Sequence, residues 1–110
     1  MTGAALYEIL LPAQDNAGKS TLTARELWLQ RALDTAGGFT DRGIVTGTWK
    51  DEATGILYPN EAQHSYHVAC EEHIWLDLVY RAHELFPDQA AIYTANIGFA
   101  FIYSKPKGDW

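Results

Sequence analysis

The apolar residues of this chain change their spacing twice, from every second position to every third or fourth and back. Nothing else restricts the fold as much. A two-residue period buries one face of a strand, whereas three- and four-residue spacing buries one stripe of a helix. Residues 5–11 predict a strand, with Leu6, Glu8 and Leu10 on one face and Tyr7, Ile9 and Leu11 on the other, ended by Pro12. A helix is expected from Ala24 to about Ala36, where Trp28, Leu29, Ala32, Leu33 and Ala36 make the apolar stripe and Gly37-Gly38 supplies the stop. Its start reads as a capping box, with Thr23 as N-cap, Glu26 at N3, and Leu22 and Leu27 as a hydrophobic staple.

The second half repeats the change of period. "GIVTGTWKD" is β-rich, Asp51 to Gly55 a turn, Ile56-Leu57-Tyr58 a short return strand, and "PNEAQ" a loop. "HSYHVAC" then groups Tyr66, Val68 and Cys70 on one face, opposite Ser65, His67 and Ala69. A second helix runs from about Glu71 to Phe86 over Ile74, Trp75, Leu78, Ala82, Leu85 and Phe86, and Pro87 closes it. In "AAIYTANIGFAFIYS" a bulge at Asn96-Ile97-Gly98 within one strand is favoured over a turn between two. The order is strand, helix, strand, strand, helix, strand, the ferredoxin-like α+β arrangement of an antiparallel sheet with two helices on one face. Residues 1–104 are expected to form one domain and 105–110 a polar tail.

With 110 residues and 47% hydrophobic content the chain can bury a core without staples. A single cysteine, Cys70, forms no intrachain disulfide, and no signal peptide or membrane-spanning run is visible, so a soluble cytoplasmic protein is expected. The net charge of -6 and scattered basic residues argue against nucleic acid; Lys105 and Lys107 form the one small basic cluster. "GKST" at residues 18–21 invites a phosphate-binding loop, but Ala13 stands where the first glycine belongs and the predicted helix starts too late.

Two helices cover one face of a sheet, yet Trp49, Tyr58, Tyr66, Tyr93, Phe99, Phe101 and Tyr103 all fall in or beside strands. This excess of aromatics is the main functional clue. It fits a homodimer packed through the open sheet face, or a site for a small aromatic or apolar ligand. Base stacking, as in RNA-recognition domains of this topology, conflicts with the charge, and "GFAF" at residues 98–101 lacks a preceding basic residue. His64 and His67 project to opposite strand faces and His73 with Asp77 offers too few ligands, so neither a metal nor another cofactor is expected. No nucleophile elbow or fixed carboxylate pair appears. If the chain is an enzyme, His67 and Glu8 are the candidate acid–base groups on the open face. An acidic protein-binding factor is a third class that the composition permits.

The pattern of Leu11-Pro12, Asp15 and Gly18, a helix ending in "GGFT" at residues 37–40, and Gly47, Trp49 and Asp51 resembles small bacterial proteins of unassigned function. The resemblance implies a ferredoxin-like fold and carries no activity. Dimeric α+β barrel monooxygenases and isomerases are the enzyme class that the fold would allow by analogy.

Overall fold

A computed structural model describes residues 2–103. Strand β1 (Thr2–Pro12) is followed by helix α1 (Leu22–Ala36), strands β2 (Thr40–Lys50) and β3 (Leu57–Cys70), helix α2 (Glu72–Leu85) and strand β4 (Thr94–Ile102). The antiparallel sheet has the order β2-β3-β1-β4. Both helices pack over the central strands β1 and β3, which defines the expected ferredoxin-like fold and leaves the edge strands uncovered. The predicted tail and its Lys105/Lys107 cluster lie outside the described residues.

Alternation decides what is buried. Tyr7, Ile9 and Leu11 of β1 and Tyr66, Val68 and Cys70 of β3 face the helices, meeting Trp28 and Ala32 of α1 and Trp75, Leu78 and Ala82 of α2. Trp28 is fully buried, and its indole N–H donates to the Leu78 carbonyl at 2.9 Å, so its one polar atom is paired in the core. Tyr7 stacks on Trp75 with ring centroids 4.8 Å apart. Arg31 forks onto both carboxylate oxygens of Asp77 at 3.0 and 3.1 Å, tying α1 to α2 on the outside.

Three local expectations are corrected. Helix α1 starts at Leu22 with Thr21 as N-cap, so the Thr23 to Glu26 capping box does not form, and Leu22 and Leu27 are exposed. Thr21 holds the junction differently: its hydroxyl donates to the Pro12 carbonyl and accepts from the Arg25 guanidinium. Leu33, placed in the buried stripe, is instead 46% exposed. Most consequential for the site, the short return strand, which begins at Leu57, and the "PNEAQ" loop are one continuous run of β3. Pro59 is tolerated because residues 57–61 extend beyond the end of β1 and pair with β2 alone, so no ladder on that side needs its N–H. The extra residue is absorbed at Asn60, which takes φ 54° and donates its N–H to the Thr48 hydroxyl. The molecule is accordingly elongated, 59 Å by 25 Å by 24 Å.

The bulge in β4 is present, one residue being gained between the Leu6–Gly98 and Tyr7–Asn96 pairs, with Gly98 at φ 137°. Gly37 takes the left-handed cap of α1 at φ 85° and donates to the Ala32 and Leu33 carbonyls. In the "GKST" region, Asp15 Oδ1 accepts from the Ala17 and Lys19 N–H groups. A carboxylate of the chain thus occupies donors that a phosphate would need. Among the described residues no helix is long and apolar enough to cross a membrane.

Candidate functional site

Register assigns each candidate residue to a face. Glu8 pairs with His67, Leu10 with Ser65 and Leu6 with Ala69, on the face away from the helices. Val45 joins them opposite Gln63, and Gly47 opposite Glu61. The predicted acid–base candidates therefore meet: Glu8 Oε2 lies 2.9 Å from His67 Nε2, and the Ser65 hydroxyl donates to the same oxygen at 3.2 Å. Because Ser65 is turned toward the carboxylate, this is not the arrangement of an activated hydroxyl nucleophile.

His64 is on the opposite face, stacked against Tyr66 with the planes 13° apart. Burial holds its imidazole below the usual range, the Arg25 charge adds to this, and Asp41 works against it. His73 lies 3.3 Å from Glu71, while Asp77 is engaged by Arg31, so the helical pair considered from spacing does not come together. Among the described residues no three His, Cys, Asp or Glu side chains are grouped for a metal ion. Cys70 is buried, and burial followed by the nearby Glu71 charge pushes its thiol up, away from reactivity.

The seven aromatics separate into three groups. Trp49, Tyr58 and Tyr93 gather on the open side, Trp49 and Tyr58 as a cross-strand pair in the outer part of the β2–β3 hairpin. Tyr66 does not belong with them: at 1% exposure it is core, tilted against Trp28 and meeting Phe39 edge-on at 6.2 Å. Phe99 and Phe101 pair with Ala5 and Gly3, on the helix side, and stay exposed because the helices pack mainly over β1 and β3. Tyr103, also exposed, follows the end of β4.

Between the hairpin and the segment leading into β4 is a cavity of about 430 Å³. Leu10 and Pro12 form its floor, Gly47, Trp49, Glu61 and Gln63 one side, and Gln89, Ile92 and Tyr93 the other. Tyr58 stacks on Trp49 with centroids 4.7 Å apart and planes 14° apart, and the Trp49 indole N–H donates to Glu61 Oε2 at 3.2 Å. Asn16 secures the far side, its backbone N–H donating to the Asp88 carboxylate and its side chain to the Asp88 carbonyl, both at 2.8 Å. Sequence reasoning misses Glu61, Gln63 and Gln89. The first two are hidden by reading "PNEAQ" as a loop; continued alternation from Ser65 back to Gln63 and Glu61 is the available signal.

These features define a ferredoxin-like domain with an uncovered sheet face and an aromatic-walled cavity beside its long hairpin. The divalent cation tolerance protein (Cut A1) from Thermus thermophilus is similar, with a TM-score of 0.59, 11% identity, and 96% of this chain and 89% of that chain covered. At that identity the likeness is one of fold. No protein-family model and no curated protein matches the chain.

Proposed function

We propose that the chain is a soluble homodimeric binding module, its subunits meeting through the open sheet face and its cavity taking a small, flat, apolar or aromatic ligand. The cavity carries this reading: about 430 Å³ is room for such a molecule, and Leu10, Ile92, Trp49 and Tyr93 offer apolar and aromatic surface beside a few polar groups. Dimerisation is supported by Val45, 37% exposed, and by half-buried Leu6 and Leu10 on a face that no helix covers. A reducing cytoplasm suits a lone, buried thiol.

Native mass spectrometry of protein purified from its own host tests both parts. A dimer carrying an added small mass is the expected result. A clean monomer would overturn the dimer, and a species with no added mass at any protein concentration or in any gentle preparation would count against the ligand.

An enzyme of the cofactor-independent monooxygenase or isomerase type is the second reading. It is favoured by the Glu8–His67 contact, two residues along β1 from Leu10 of the cavity and on the same face. Neither residue lines the cavity, which is why binding ranks first. Glu8→Gln and His67→Ala decide the matter: turnover of a retained ligand that is indifferent to both substitutions would end the acid–base reading.

A further inference from the structure

The cavity has a charge asymmetry that narrows its ligand, an inference that rests on the binding reading above. Glu61 is the one charged side chain on the wall, where no Lys, Arg or His occurs among the described residues. Its Oε2 accepts from Trp49, whereas Oε1 takes part in no hydrogen bond or ion pair among those residues. Tyr58 stacks on the Trp49 ring and lines a neighbouring depression instead of the cavity, which Trp49 and Tyr93 line. That depression shares Pro12, Glu61 and Gln89 with the cavity, adds Asp15, and likewise has no basic side chain among the described residues.

Aromatic ring faces carry partial negative charge and attract cations, most strongly where water is partly excluded. An anion here would meet aromatic rings and a carboxylate, with no basic side chain among the described residues of the wall to compensate it. A neutral ligand would cover Glu61 without pairing its free oxygen, which costs desolvation.

We propose that the cavity binds an organic cation, an ammonium or amidinium head on a flat apolar body. The head sits against Trp49, Tyr93 and Glu61, and the body lies along Leu10 and Ile92.

The test compares phenyltrimethylammonium with its neutral isostere tert-butylbenzene and with benzoate, by calorimetry or ligand-observed NMR. The cation is expected to bind about tenfold more tightly than the isostere, and benzoate not at all. Glu61→Gln, which keeps an acceptor for Trp49, should remove most of that preference, and Trp49→Leu should abolish binding of both. If wild-type protein binds tert-butylbenzene as well as the cation, the cation assignment fails while the apolar-ligand reading stands. If a preference for the cation survives Glu61→Gln unchanged, the role given to Glu61 is wrong. If no probe binds, the cavity reading fails and the cation assignment with it.

Discussion

Glu8 and His67 meet across the central strand pair with Oε2 2.9 Å from Nε2, and Ser65, two residues back along β3, donates to the same oxygen. Two side chains thus depend on one acceptor, and Ser65 is only 2% exposed. Glu8→Ala should cost ~1–3 kcal/mol, because a buried hydroxyl loses its acceptor, whereas Glu8→Gln retains an amide oxygen and should cost less. Urea denaturation checks this, and an alanine variant as stable as wild type would contradict it.

The two candidate apolar surfaces can be told apart by charge. Val45 lies on the open face and Phe101 on the helix side of β4, so Val45→Lys should break the proposed dimer and Phe101→Lys should leave it intact. Analytical ultracentrifugation of both variants gives the answer; the reverse outcome would move the interface to the β4 edge.

Gly47 lines the cavity, and a Cβ built there meets nothing nearer than the Gln63 amide nitrogen at 3.7 Å. Gly47→Val should therefore fit the strand and fill the cavity. The expected result is loss of any retained small mass in native mass spectrometry, with a melting temperature equal to or above that of wild type.

The adjacent glycines 37 and 38 should behave differently. Gly37 sits at φ 85°, so Gly37→Ala should destabilise by about 1 kcal/mol; Gly38 has no such requirement and open space at its Cβ position, so Gly38→Ala should be near neutral. Thermal melts of the two variants measure the contrast.

Stability should fall in mild acid through His64. Its imidazole titrates lower in the folded chain than in the unfolded one, chiefly through burial, so protons bind the unfolded state first as pH drops below about 6.5. His64→Phe, which can keep the stack on Tyr66, should flatten the stability profile from there downward. Denaturation midpoints of the two proteins across that range test the sign.

The order of elements and the core faces of β1 and β3 were legible because unbroken alternation leaves a single way to bury each strand. Bulges hid the rest. In β4 the extra residue near Ile97 reverses the faces beyond it: Gly98 shares the open face with Leu6, which turns Phe99 and Phe101 toward the helix side. In β3 the proline and the left-handed Asn60 resemble a loop in sequence, although β2 keeps pairing past them. Tyr66 is a different case. Its grouping with Val68 and Cys70 already pointed to the core, and counting it with the open-face aromatics set aside what strand parity implied. The cavity joins parts distant in sequence, since Gln89 and Tyr93 meet Trp49 only through the sheet order.

One mechanical consequence follows from β3 outrunning β1. The outer part of the hairpin is a cantilever, fixed at the sheet and free at its tip, and a two-stranded ribbon is only marginally stable in water. Trp49 rides on that cantilever, while Tyr93 belongs to the anchored body. A ligand held between the two rings would turn the cantilever into a beam supported at a second point, so occupancy would register as slowed amide exchange out to the hairpin tip, beyond any residue the ligand touches.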